Sequence, residues 1–285
     1  MEQSKRIAYY DPDLHIEACY FRGIRQTFPN HVHDYYVLGL IEAGPRRMTC
    51  RGRTDELGPG DMILFHPGDS HSCIDVDGCA FSYRSFHLPK AVMEDLNERI
   101  TGQRTLPGFS QNLIRNSTVA GQLRTLHRLI LAESRAVERK NTLLQGLFSH
   151  LLEHYGQPTA PCTSPCRAEL DAACRFLQTH YAQPIRLDEI CRHAGLSKST
   201  LLRAFTQEKG VTPYRYLETL RINQAKKLLA EGYSPAETAM LTGFYDQSQL
   251  TKFFTRFIGL SPGSYQALFL HQDTAQKGDH PRHGV

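Results

Sequence analysis

Two sets of side chains in this 285-residue chain have the types and spacing to do chemistry. The first is a trio of histidines. His31 and His33 lie two residues apart, so on a β-strand both imidazoles project to one face. His71 follows a Pro-Gly turn at 67–68 and can fold back toward them. Three neutral imidazoles are a competent ligand set for zinc or another transition ion, with His66 and Cys73 flanking His71 as further donors. The same trio also suits plain structural residues at the rim of a β domain. The second set is polar and basic: Lys198, Ser199, Thr200, Leu202 and Arg203, then Gln247, Ser248, Gln249, Thr251 and Lys252. Each group follows a residue that can cap a helix, Ser197 or Asp246. Side chains of these kinds at the start of a helix reach base edges and phosphates in a DNA major groove.

The elements that must position them differ along the chain. Residues 15–90 contain short apolar runs at 35–41 and 61–65, separated by Gly-, Pro- and Asp-rich turns, a pattern of short strands in a sandwich or barrel. A short helix is expected over 91–99 and loop over 100–116. From Ser117 the apolar spacing becomes helical: Val119, Leu123, Leu126, Leu129 and Ile130, then Leu143, Leu144, Leu147, Leu151 and Leu152. Two such helices make a hairpin that covers a sheet face, and in a second reading also supplies a dimer seam. Three prolines in 156–165 mark a linker. Helical pattern then runs to about Leu270, and a polar tail over 271–285 is expected to be disordered.

Within the helical part the chain repeats itself with a period of 48–49 residues. Glu189 matches Glu237, and Gly195 matches Gly243. After one inserted residue, Leu201 matches Leu250, Phe205 Phe254, Gly210 Gly259, Pro213 Pro262 and Tyr216 Tyr265. Each copy reads as a helix stopped by glycine, a capping residue, and a second helix with an apolar i, i+4 stripe: a helix-turn-helix. The pattern over 214–230 is a single connecting helix, a rod of roughly 25 Å, long enough to hold two reading heads in successive major grooves.

Residues 169–266 resemble the tandem helix-turn-helix domain of the AraC/XylS family of bacterial transcription regulators, most closely in Ala239, the run 243–248, Phe253, Phe257, Gly259, Pro262 and Tyr265. The resemblance implies base-reading positions at Ser199, Leu202 and Arg203 and at Gln247, Ser248, Thr251 and Lys252; Leu202 departs from the usual polar character there. The N-terminal histidine layout resembles the cupin barrel, with an HxH motif and a later His after a Pro-Gly turn. A metal-binding cupin carries a glutamate at the position of 37 or 38, where this chain has Val37 and Leu38. The implied architecture is an α+β two-domain protein: a cupin-like β-barrel with helical hairpin over 1–155, a linker over 156–168, and an all-α tandem helix-turn-helix domain over 169–270. The implied function is sequence-specific DNA binding, with activation through RNA polymerase favoured, under control of a small-molecule effector held by Arg25, His31, His33, Tyr35 and His71, with Tyr36 nearby. The implied partners are double-stranded DNA, RNA polymerase and a second copy of the chain. No cofactor is assigned. The alternatives are a metal-dependent cupin enzyme fused to a DNA-binding domain, which the missing glutamate disfavours, and a constitutive DNA-binding dimer.

Composition limits the remaining classes. The chain is 40% hydrophobic and 22% charged, enough for ordinary cores. No apolar run reaches the length of a membrane span, and the N-terminus lacks a signal-peptide pattern, so a cytoplasmic, non-membrane protein is expected. Eight scattered cysteines are expected to be reduced; the pair Cys162 and Cys166 falls in the linker. Residues 167–266 hold 13 Lys/Arg against 9 Asp/Glu, so the whole net charge of +4 lies in the segment expected to meet DNA.

Overall fold

The structure, a computed structural model, describes residues 4–157 and 166–276. Nine strands come first: β1 Lys5–Asp11, β2 Ile16–Ile24, β3 Phe28–His31, β4 Tyr36–Ala43, β5 Arg46–Cys50, β6 Arg53–Leu57, β7 Met62–Phe65, β8 His71–Asp75 and β9 Phe81–Leu88. Helix α1 (Lys90–Thr101), two short strands β10 (Gly108–Phe109) and β11 (Leu113–Ile114), and helices α2 (Ala120–Leu131) and α3 (Val137–Tyr155) follow. The stretch expected to be loop over 100–116 thus contributes two strands. β12 (Gly156–Gln157) pairs with β10, which ties the start of the expected linker to the β domain. The rest of that linker up to 165, including Cys162, lies outside the described residues.

The strands form two sheets, ordered β1-β2-β9-β4-β7-β11 and β3-β8-β5-β6. The expected barrel is therefore open among the described residues. The edge strands, β1 and β11 in the large sheet and β3 and β6 in the small one, do not pair with one another among the described residues. Strand β4 shows how the sequence specifies two layers. Tyr36, Leu38 and Leu40 point to one core, while Val37 and Ile41 point to the other. The first core packs the large sheet against α1, α2 and α3. Leu123, Leu126, Ile130, Leu147, Phe148 and Leu151 are fully buried there, so the apolar stripe of the α2–α3 hairpin covers the sheet.

The C-terminal part is helical: α4 (Arg167–His180), α5 (Leu187–Ala194), α6 (Lys198–Lys209), α7 (Pro213–Ala230), α8 (Pro235–Leu241), α9 (Gln247–Ile258) and α10 (Pro262–Gln276). Helix α10 continues six residues beyond the boundary expected at 270; residues 277–285 lie outside the described residues. The two repeats are packed differently. Leu170, Leu177, Ile190, Leu201, Phe205 and Leu217 give the first its own core. The second shares a core with the β domain: Leu250, Phe254, Phe257 and Leu260 join Phe21, Phe28, Met48 and Phe81 from both sheets. No described helix is long and apolar enough to cross a membrane.

Candidate nucleic-acid interface and sensor cavity

In the first helix-turn-helix, α5 stops at Gly195, whose φ of +66° a residue without Cβ adopts without strain. The Ser197 hydroxyl then accepts from the Thr200 N–H and starts α6. Leu201 and Phe205 are fully buried. Lys198, Ser199, Leu202 and Arg203 are exposed and Thr200 is half-buried. Lys198 meets Asp188 at 2.8 Å in a solvent-exposed ion pair that a phosphate can replace.

The second copy is built the same way. The Asp246 carboxylate accepts from the Gln249 N–H at 2.7 Å, and Leu250 and Phe254 are fully buried. Gln247, Ser248 and Lys252 are exposed, with Thr251 half-buried beside them. The Gln249 side chain turns back to accept from the Tyr245 N–H at 2.9 Å, so it completes the cap, whereas its neighbours face outward. Sequence reasoning missed Tyr245, which is 90% exposed immediately before the cap, and Met240, 77% exposed on α8; of the two adjacent aromatics in the turn, Phe244 is the one that is buried. Helix α7 joins the two heads with 18 residues, about 27 Å of rod.

A small, mostly apolar cavity of about 80 Å³ lies between the two sheets, lined by Phe21, Val37, Phe65 and Tyr83 among others. The three histidines stand at its wall. His31 and His71 are direct cross-strand partners on β3 and β8. His33 lies beyond the end of β3, so the shared strand face expected for it is absent, yet its ring comes within 4.8 Å of His31 and 4.5 Å of His71. The Nδ1–H of His31 donates to the Pro29 carbonyl at 2.7 Å, and that of His71 to the Asp69 carbonyl at 2.9 Å. Burial pushes all three imidazoles toward the neutral form, His71 down to about 4. Tyr35 stacks on His33, and burial raises its phenol. The other expected contacts go elsewhere. Arg25 is exposed and does not line the cavity. Tyr36 faces the opposite core, its hydroxyl donating to the Pro107 carbonyl. His66 bonds Asp69 and accepts from the Phe109 N–H. Val37 lines the cavity and Leu38 lies in the opposite core. Cys73 does line the cavity, as does His87, which the sequence did not single out.

The cavity is bounded on one side by Phe257 and Ile258, the last turn of α9. Phe257 packs edge-on to His31, ring centroids 5.4 Å apart. Both second helices of the repeats end on the β domain, at matched positions. Asn30 donates to the Gly210 carbonyl at 2.7 Å, and the Arg6 guanidinium donates to the Gly259 carbonyl. Gln26 donates to the carbonyls of Thr255 and Arg256 at 3.0 and 3.1 Å. Deeper in the interface, Lys226 of α7 places its ammonium 3.0 Å from Glu17 of β2, which also bonds His87 and accepts from the Tyr265 hydroxyl. Burial alone would raise the Glu17 carboxyl, but Lys226 and His87 outweigh it and hold it well below the usual carboxylate range. Burial likewise opposes the Lys226 charge, and Glu17 reverses the balance so that the ammonium persists.

Comparison with known proteins fits this anatomy. Residues 14–152 match the AraC-like ligand binding domain, and residues 190–267 match a helix-turn-helix domain. The chain is 44% identical over 251 residues to the uncharacterized HTH-type transcriptional regulator YbfI of Bacillus subtilis, covering 88% of this chain and 91% of that one. It is 24% identical over 277 residues to the HTH-type transcriptional activator RhaR of Escherichia coli, covering 93% and 96%. An apo point variant of ToxT from Vibrio cholerae shares the fold with a TM-score of 0.58 at 13% identity, covering 92% of this chain and 99% of that chain. A wild-type ToxT structure with unsaturated fatty acid bound gives 0.55 at 13% identity, covering 95% and 99%.

Proposed function

Because the chain belongs to the AraC family of transcription regulators, with a ligand-binding domain ahead of its DNA-binding helices, we propose that it is an effector-gated activator that reads two successive major-groove segments. Ser199, Leu202 and Arg203 on α6 and Gln247, Ser248, Thr251 and Lys252 on α9 are the base and backbone contacts, with Lys198 and Thr200 at the phosphates beside them. Leu202 meets a thymine methyl. The observation that carries this reading is the pair of capped helices with exposed polar faces in register, joined by one rigid helix.

The effector occupies the cavity beside His31, His33, Tyr35 and His71 and favours whichever arrangement of α9 it binds more tightly. The regulator works as a cytoplasmic homodimer, with a sensor unit over 1–155 and a reading unit over 169–270. The hairpin seam uses the outward faces of α2 and α3, since their apolar stripe is already buried. Exposed Met240, Leu241 and Tyr245 are available to RNA polymerase or to the duplex. The relatives being transcription regulators supports regulation over catalysis as the task of the N-terminal unit.

Footprinting on the region upstream of the gene for this chain tests the reading. Two protected major-groove segments one helical turn apart, on one face of the duplex, are expected; a single short segment contradicts it.

A further inference from the structure

We propose that His31, His33 and His71 form a site for a borderline divalent transition ion of the zinc, cobalt or nickel class, and that its occupation reaches the second recognition helix through Phe257. The inference rests on the DNA-binding part of the function proposed above and adds a ligand to it.

The hydrogen bonds around the trio argue for the ion. The Pro29 and Asp69 carbonyls can only accept, so the Nδ1 atoms of His31 and His71 carry the protons. Their Nε2 atoms then carry the lone pairs, and a carbonyl behind each ring is the support that orients a metal-ligating imidazole. His33 adds a buried Nδ1 that no protein group satisfies. Convergent lone pairs without a shared proton repel unless a Lewis acid or a donor sits among them. One ligand atom from each of the three lies within 4.8 Å of the others. Nitrogens on one tetrahedral zinc stand ~3.4 Å apart, so small ring rotations close the set.

The donor chemistry selects the ion. Three imidazoles without a carboxylate favour zinc, cobalt or nickel over magnesium or calcium. Three neutral ligands leave the ion its full charge, and the nearby carboxylate of Glu17 is already engaged by Lys226. The fourth position therefore falls to water, hydroxide or an anionic group entering the cavity. Phe257 lies against His31 and is buried in the last turn of α9. Drawing the His31 ring toward an ion changes the surface on which that helix rests.

The test uses the full chain, stripped with chelator and reloaded with Co(II) or Zn(II). One equivalent per chain is expected by elemental analysis, with the visible absorption of a four-coordinate cobalt site. His33→Phe keeps the stack on Tyr35 and should lose both signals; His33→Asn serves if that variant does not fold. In parallel, fluorescence anisotropy measures affinity for the duplex upstream of the gene, and the loaded and stripped parent should differ at least ~5-fold. No stoichiometric ion in the folded parent, or an ion retained in a folded His33 variant, overturns the site. An ion bound with unchanged DNA affinity overturns the link to α9. A parent that binds no duplex in either state refutes both that link and the DNA-reading assignment, while cobalt absorption still decides the site.

Discussion

Replacing Lys226 with methionine removes the central charge of the interface between the sensor and the reading helices. The ammonium stands 3.0 and 3.1 Å from the two oxygens of Glu17, with side-chain exposures of 8% and 14%. At an effective dielectric of about 20, that separation gives roughly 5–6 kcal/mol of attraction, which desolvation of both groups largely offsets. Removing one partner is worse than never having had the pair, because it strands the other charge. Glu17 keeps the Tyr265 hydroxyl, and His87 at 3.0 Å can take up a proton. The expected loss for Lys226→Met is therefore about 3 kcal/mol, the low end for a broken buried pair. Urea denaturation followed by far-UV ellipticity measures it, since the chain has no tryptophan to report by fluorescence. The Glu17→Gln/Lys226→Met double variant should recover most of the loss. The pH dependence has a defined sign. The Glu17 carboxyl is depressed, so its contribution is present above the ordinary carboxylate range and lost as pH falls below it. The Lys226 ammonium is raised, so its contribution is present up to the ordinary lysine range and lost above the folded value. The variant should thus differ most from the parent between about pH 5 and pH 10. An unchanged urea midpoint, or a double variant as unstable as the two single losses added together, refutes the reasoning.

Other outcomes follow from the same geometry. Arg203→Ala should cost about 1–3 kcal/mol of operator binding and relax specificity at one base pair, while Lys252→Ala should weaken all sequences alike and flatten the salt dependence by about one unit; normal binding of both variants removes these helices from the interface. Arg46 is fully buried, stacks its guanidinium over the Phe81 ring at 4.0 Å and donates to the Ile24 carbonyl, but its Nε and Nη1 have no hydrogen-bond partner. Arg46→Met should therefore be neutral or stabilising by about 1–3 kcal/mol in thermal unfolding, and a loss beyond that of an ordinary core swap shows that the charge is needed. A Cβ on Gly259, at φ +84°, would lie 2.4 Å from the Phe21 ring, whereas one on Gly195, at φ +66°, meets open space. Gly259→Ala should cost about 2–4 kcal/mol and Gly195→Ala only about 1; equal losses mean that the second helix-turn-helix does not bear on the sensor. His127 is fully buried, its Nε2–H donating to the Cys19 carbonyl, and burial pushes its imidazole down to about 4. Below the ordinary histidine range the unfolded chain binds the extra proton, so stability should fall as pH drops from about 6.5 to 4, and His127→Gln should blunt that slope.

The legible parts of the molecule were those specified locally. The helix-turn-helix copies could be read because glycine stops, caps and the i, i+4 stripe of Leu250 and Phe254 lie within a few residues of one another. Strand β4 was visible as an apolar run because both of its faces are buried. The open barrel was not, since closure depends on whether edge strands far apart in the chain find one another. His33 was brought to the cluster by a loop, so alternation along a strand gave the right neighbours for the wrong reason. Arg25 illustrates the converse: proximity in sequence to the histidines did not turn its side chain inward. Lys226 and Glu17 carried no signal, because they sit 209 residues apart and each looks like an ordinary surface charge in its own amphipathic context.

The unequal packing of two similar repeats suggests how a signal could be routed. The first head has its own hydrophobic core, so it folds around residues that the sensor does not touch. The second has buried residues of its own, among them Ile222, Leu229, Ala239, Phe244, Leu250 and Phe254, but they are continuous with Phe21, Phe28 and Phe81 of the β domain. A change inside the cavity therefore meets α9 through direct packing, whereas α6 meets the β domain at its C-terminal Gly210, where Asn30 bonds and Ser70 abuts, and through α7. Packed cores transmit displacement, while a small contact at one exposed helix end yields to it. Effector occupancy should consequently alter recognition at the half of the operator proposed for Gln247 and Ser248 more than at the half proposed for Arg203. Base-pair substitutions in each half, measured with and without bound ligand, separate the two. A ligand response that is the same for both halves would mean that the sensor moves the two heads as one body, and that the shared core around Phe257 carries no special share of the coupling.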